Sequence, residues 1–201
     1  FFSKTKGDNE ALESVKKITN TQKIDYQPLF SLDNNLRDTI GIIIAASGNE
    51  KRWSISNYLK VIEFLKEKKY NKFLIVSGID QSQDENIIKE KFIDNTEIIF
   101  TSDKKIDEVI PHLKKCKFCI GNDTGFSHLS VNLDIETIVI HGDCPPQFYS
   151  KLLKHVDIEP NVIRSSNSIH TIKIERVLNE LSEFLNRRGG RVVEGARLES
   201  V

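Results

Sequence analysis

The chain has 201 residues, long enough for one domain with a sizeable core plus appendages. Lys and Arg number 29 against 29 Asp and Glu, so no global field steers it toward nucleic acid, and nucleic acid is not an expected partner. No apolar run approaches the roughly 20 residues that span a bilayer, and three cysteines are too few for a disulfide scaffold.

The opening "FFSKTKGDNE" lacks an initiator Met and resembles no signal peptide, which suggests a piece of a longer chain. "DNEALESVKKI" reads as a helix capped by Asp8, with Ala11, Leu12, Val15 and Ile18 on one face. "YQPLFSLDNN" reads as an extended connector, because Pro28 blocks a helix.

From residue 38 strands and helices alternate. "TIGIIIAAS" is apolar throughout and reads as a strand buried on both faces. "SISNYLKVIEFLKEKKY" is an amphipathic helix with Tyr58, Ile62 and Leu65 on one stripe. "KFLIVSG", "TEIIF", "KFCIGN" and "ETIVIHG" are further strands, separated by helices at "QDENIIKEKFI", "KIDEVIPHLKKC" and "GFSHLSVNLD". Pro111 interrupts the second of these helices or delays its start. "PPQFYSKLL" reads as a short helix, "NVIRSS" as a sixth strand, and "KIERVLNELSEFLNR" as a closing helix. That closing helix has Ile174, Val177, Leu178, Leu181 and Leu185 on one side; half uncovered, the stripe would drive self-association.

Such alternation implies an α/β fold: a doubly wound, Rossmann-like parallel sheet over residues 39–186. Residues 1–38 then form an entry helix and connector, and 187–201 a disordered or appended tail. Ligands of such folds bind beyond the carboxyl ends of the strands. The loops after "IIIAAS", "LIVSG", "FCIGN" and "IVIHG" therefore line one rim.

In "GNDTGFSH", Gly121 and Gly125 permit backbone angles and close approaches denied to other residues. Asp123 or Thr124 can cap the helix that follows, whose first amides have no internal partner and favour a phosphate. Thr124 and His128 share a face of that helix. A plain strand-to-helix turn with a solvent-facing histidine fits the same residues. In "AASGNEKRWS", Lys51 or Arg52 can neutralise phosphate, or form a solvated basic pair, while Trp53 covers the site or staples helix to sheet. In "SGIDQSQDEN", Asp80 can accept from ribose hydroxyls or serve as a turn acid. His141 and Gly142 read as wall. Cys116 and Cys119 form a CxxC whose odd offset puts the two thiols on opposite faces of a regular strand. There is no GxGxxG, P-loop, GxSxG or HExxH.

Taken in order, "AASGNEKRWS", "LIVSGID" and "CIGNDTGFSHLSVNLDIETIVIHG" resemble glycosyltransferase family 9, the ADP-heptose:lipopolysaccharide heptosyltransferases. The resemblance covers roughly residues 8–185. It implies one half of a GT-B fold, the carboxyl-terminal domain that grips the nucleotide-sugar, with the preceding helix and connector belonging to its partner domain. It further implies a donor of the ADP-heptose type, a lipid-linked oligosaccharide acceptor, no cofactor and no metal. A cytoplasmic location, with peripheral contact at the inner membrane, follows from the same likeness.

The implied roles are specific. Lys51 contacts phosphate or sugar; Asp123, Thr124 and Gly125 cradle the pyrophosphate and nearby hydroxyls; His128 assists the leaving phosphate. Asp80 matches an acidic position tied to the nucleoside, and Ser47 a hydroxyl position near phosphate. The chain departs from the family at Phe126, where proline is common, and at Ser47-Gly48-Asn49-Glu50, usually a Pro-Gly run. The base that activates the acceptor would belong to the other domain, so these residues would bind donor and transfer nothing alone. The alternative is a non-catalytic nucleotide-binding or protein-interaction module on the same fold.

Overall fold

The computed structural model describes residues 37–93 and 96–198. The helix expected at 8–18 and the connector at Pro28 lie outside them.

Six strands form one parallel sheet: β1 (Thr39–Ile43), β2 (Lys72–Val76), β3 (Glu97–Phe100), β4 (Cys116–Asn122), β5 (Thr137–Ile140) and β6 (Leu153–Val156). Their order is β3-β2-β1-β4-β5-β6, every adjacent pair parallel. The order reverses between β1 and β4, which opens a crevice beyond their carboxyl ends. The helices are α1 (Ile55–Glu67), α2 (Ser82–Lys91), α3 (Ile106–Leu113), α4 (Gly125–Asn132) and α5 (Ile174–Leu198). The expected doubly wound, Rossmann-like α/β sheet is what the chain forms.

Burial on both sheet faces explains the apolar strand runs. Ile40, Ile42, Phe73, Ile75, Phe118 and Ile120 face one layer, where Tyr58, Val61, Ile62 and Leu65 of α1 and Val177, Leu181 and Phe184 of α5 cover them. Ile43, Leu74 and Val76 face the other, against Val109 and Leu113 of α3 and the partly buried Phe126 and Leu129 of α4.

Six readings are corrected. The sixth strand is Leu153–Val156, not 161–166, and no helix forms over 145–153. "LKHV" buries Leu153 and Val156 and pairs Ile138 with Lys154 and Val139 with His155, so pairing with β5 outweighs helix propensity there. Helix α3 begins at Ile106, with Pro111 inside it. The Glu108 carboxylate accepts the Lys105 amide at 2.8 Å and fixes that start, and the loss of one hydrogen bond at Pro111 falls near the end of a short helix.

The CxxC thiols share a face. Thr39 pairs with Cys116 but Ile40 with Phe118, so Lys117 is an extra residue on β4, and the irregularity resets the alternation. Both thiols are buried in one cluster above Gly41, where a Cβ would lie 2.4 Å from Cys119 Sγ and 3.3 Å from Cys116 Sγ. The stripe on α5 is covered by its own sheet: Ile174, Val177 and Leu181 are buried, and Leu178 and Leu185 pack partly buried on the core. No half-uncovered face remains among those residues to drive self-association. The helix also continues past residue 186 to Leu198.

Candidate functional site

The loop after β1 and the turn from β4 into α4 meet across the crevice. Asn122, fully buried at the end of β4, makes the connection. Its side-chain oxygen accepts the Trp53 amide at 3.1 Å and the Tyr58 hydroxyl at 2.8 Å; its amide nitrogen donates to Ile44 O at 2.8 Å. Trp53 is a staple rather than a cover: its indole N–H donates to Ile172 O at 2.9 Å, and its ring meets Tyr58 edge-on at 5.2 Å.

Gly121 is required by packing. A Cβ there would stand 2.1 Å from Ile43 O, on the neighbouring strand. Gly125 is different, since a Cβ would meet nothing within 4 Å and the space before it is open. No glycine among the described residues has positive φ, so the value of this pair is close approach, not unusual backbone angles.

Thr124 occupies the N-cap position of α4, but its hydroxyl makes no capping bond. The buried Oγ1 has no hydrogen-bond partner among the described residues. The amides of Ser127 and His128 turn back to Thr124 O, at 3.0 and 3.3 Å. The first amides, of Gly125 and Phe126, are the ones a helix leaves for an outside acceptor.

Asp123 lies between two imidazoles. Its Oδ1 is 3.3 Å from His128 Nε2 and its Oδ2 3.3 Å from His141 Nδ1, both loose contacts rather than well-aligned hydrogen bonds. Burial pushes the Asp123 carboxyl up, but the contacts and charge of His128 and His141 outweigh it and hold the group well below the usual carboxylate range. His128 Nδ1 is 2.6 Å from the Tyr149 hydroxyl, so both of its ring nitrogens are engaged. His141 Nε2 reaches His155 Nδ1 at 2.9 Å. Burial and the neighbouring His141 lower His155 to about 4.

Lys51 ends a short 3-10 turn, Asn49–Lys51, two residues before Trp53. Burial and Asp143 raise the Cys144 thiol, on which Lys51 and Asp123 also act with opposite sign. Both charges thus lie within electrostatic reach of Cys144, in the loop after β5. Arg164 holds that loop, donating to Gly142 O at 2.8 Å and Cys144 O at 2.9 Å, and it pairs with both oxygens of Asp157.

Asp80 is half exposed and ion-paired with Arg52, which ties the third loop to the first. Gln81 adds a second tie through Ala46 O at 3.1 Å. Ser47 is exposed where the first loop leaves β1.

The strand ends thus bring Lys51, Asp123, Thr124, Gly125 and His128 to one mouth, with Asp80 and Ser47 on the adjoining rim. Read as wall from the sequence, His141 instead touches the site's carboxylate. Asn122, Tyr149, His155 and Arg164 were missed, because their roles depend on partners 7 to 69 residues away in the chain. Only the polar Asn122 ending an apolar run could have been flagged.

Known proteins share this architecture. The sequence profile of glycosyltransferase family 9 (heptosyltransferase) matches residues 4–177. No curated protein sequence matches the chain. Among solved structures, Escherichia coli heptosyltransferase WaaC with ADP-2-deoxy-2-fluoro heptose superposes with a TM-score of 0.68 at 18% identity, over 90% of this chain and 57% of that one. Escherichia coli ADP-heptose lps heptosyltransferase II gives 0.63 at 18% identity, over 94% of this chain and 54% of that one. A family 9 glycosyl transferase from Veillonella parvula gives 0.64 at 16% identity, over 78% and 48%. The chain spans about half the length of these enzymes, and the likeness to them is one of fold. With the profile match covering most of its length, the chain belongs to glycosyltransferase family 9.

Proposed function

We propose that these residues form the donor-binding half of a heptosyltransferase, which takes an ADP-heptose-type sugar and serves transfer to a lipopolysaccharide core acceptor. The observation that carries the reading is the mouth of β4. There the open space before Gly125, the unpartnered Thr124 hydroxyl and the first amides of α4 converge, and the Trp53–Asn122 bond ties the Lys51 loop to the same turn. That chemistry suits a diphosphate. The bound ADP-2-deoxy-2-fluoro heptose named for WaaC supports the donor class.

In the reaction the bond between the anomeric carbon and the diphosphate oxygen breaks. The acceptor oxygen bonds to that carbon, and its proton passes to a base outside these 201 residues. Negative charge grows on the departing diphosphate. The amides of Gly125 and Phe126, Thr124 Oγ1 and Lys51 Nζ stabilise it, which helps most where charge develops. His128 joins them by taking up a proton beside the anionic donor: Nδ1–H turns from the Tyr149 hydroxyl to the diphosphate while Asp123 holds Nε2. Asp80 and Ser47 border the nucleoside and phosphate. The loose 3.3 Å contacts of Asp123 tighten when donor binds. A lipid-linked acceptor would bring the reaction to the inner face of the inner membrane. Among the described residues no helix is long and apolar enough to cross a membrane.

Calorimetry with ADP and AMP tests this reading. ADP binds saturably and AMP about tenfold more weakly, the share of one phosphate held by charged hydrogen bonds. Equal affinity for the two would remove the diphosphate site, and no saturable binding would leave a protein-interaction module on the same fold.

A further inference from the structure

On the Oδ2 side of Asp123 stand two imidazoles that the donor-binding reading does not use. His141 is 2% exposed at the end of β5, and His155 lies beside it on β6. We propose that His141 and His155 are positioning residues: linked in series, they hold Oδ2 of Asp123 so that Oδ1 stays against Nε2 of His128 and keeps that imidazole aimed at the mouth. The inference deepens the nucleotide-binding reading and rests on it for its binding measurement, but not for its spectroscopic one.

The hydrogen inventory supports the order. Nδ1 of His141 faces a carboxylate oxygen at 3.3 Å; a lone pair there would be repelled, so that nitrogen carries hydrogen. Nε2 of His141 and Nδ1 of His155 are 2.9 Å apart and share one hydrogen. Nε2 of His155 is buried without a partner among the described residues. With hydrogen on Nδ1, His155 leaves a bare acceptor at that nitrogen. The other tautomer leaves a buried N–H with no acceptor, the rarer arrangement in folded proteins. His155 therefore donates to His141, whose Nδ1 hydrogen faces Asp123 across the loose 3.3 Å contact.

The groups around His155 favour its neutral form. The Phe148 ring packs against it at 4.7 Å. His141 and Lys154 oppose a positive charge on it, while Asp123 and Asp157 favour one. Burial, the largest influence, tips the balance to the neutral ring. Each proton in the series then points toward the carboxylate, and Oδ1 is left for the Nε2 hydrogen of His128.

The test compares the 201-residue protein with its His141→Phe, His141→Asn and His155→Phe variants, by 15N spectra of labelled histidines and by ADP calorimetry at neutral pH. In the parent, His155 carries its hydrogen on Nδ1 and His128 is a single Nε2–H tautomer. In His141→Phe the His128 signal splits between tautomers, and ADP affinity falls about tenfold, the scale of one lost charged hydrogen bond. His141→Asn, whose amide nitrogen can stand where Nδ1 stood, restores both. Parent spectra with hydrogen on Nε2 of His155, or a single unchanged His128 tautomer in His141→Phe, overturn the proposal. If His141→Phe does not fold, the parent tautomers and His155→Phe decide: a His128 signal still single there, at unchanged ADP affinity, also overturns it. Failure of the parent to bind ADP removes the nucleotide reading alone, because the tautomers still report on the pair.

Discussion

Asn122 and Trp53, 69 residues apart in the chain, are joined by a 3.1 Å hydrogen bond from the Trp53 amide to the Asn122 side-chain oxygen. This bond holds the basic loop after β1 against the turn that leads into α4. It converts two separate loops into one mouth.

Replacing Asn122 by Ala leaves the Trp53 amide without its acceptor and Ile44 O without the Asn122 amide in a fully buried position, while the Tyr58 hydroxyl keeps only Ile43 O at 3.3 Å. The expected loss of stability is about 3 kcal/mol, since each orphaned buried polar group costs on the order of 1–3 kcal/mol. Urea unfolding checks it. A loss under about 1 kcal/mol would mean that the loop is held by other contacts.

The two glycines of the turn should separate folding from binding. Gly121→Ala drives a Cβ into Ile43 O, a backbone atom that cannot move without disturbing β1. A loss of at least about 3 kcal/mol, or no folded protein, is expected. Gly125→Ala meets no protein atom, so unfolding should change by less than about 1 kcal/mol while ADP affinity falls. Thermal unfolding and calorimetry on the pair give both quantities.

Acid should destabilise the fold in two stages. His155 is lowered from 6.5 to about 4, so between those values the unfolded chain binds a proton that the native state refuses. Stability therefore falls as pH drops through that window and levels off below it. Asp123 is held below its usual range, so its contribution is present above the ordinary carboxylate value of 3.8 and is lost as pH falls beneath it. Denaturant midpoints from pH 7 downward should show the first stage vanish in His155→Phe and the second remain.

Lys51 and Arg52 are neighbours with different expected roles. Arg52 is ion-paired with Asp80, whereas Lys51 lies within electrostatic reach of Cys144, in the loop after β5. Lys51→Ala should weaken ADP binding by about 1–3 kcal/mol, the scale of a hydrogen bond to a charged group. Arg52→Ala should weaken it less. Parallel titrations at low and high salt distinguish the two, because a direct phosphate contact lessens the salt dependence when removed.

How much was legible in the sequence varies with how local the cause is. The runs "TIGIII" and "KFLIV" announced strands buried on both faces because burial acts on every residue in them. The turn "GNDTG" announced the passage from β4 into α4 because glycines and a helix start lie in one short stretch. β6 was misplaced because "LKHV" is too brief and too mixed to mark itself; only pairing with β5 makes it a strand. The common face of Cys116 and Cys119 was hidden because it depends on one extra residue in the register of β4 against β1. His141 was undervalued for the same kind of reason. Its meaning comes from Asp123 on one side and His155 on the other, both distant in the chain.

Amide-resolved 1H–15N spectra recorded during an ADP titration test the central claim most directly. The amides of Gly125 and Phe126 should move most and saturate together with those around Lys51, while amides at the opposite ends of the strands stay in place. Saturable shifts that leave Gly125 and Phe126 untouched, or no shifts at millimolar ADP, would contradict a diphosphate site at the start of α4.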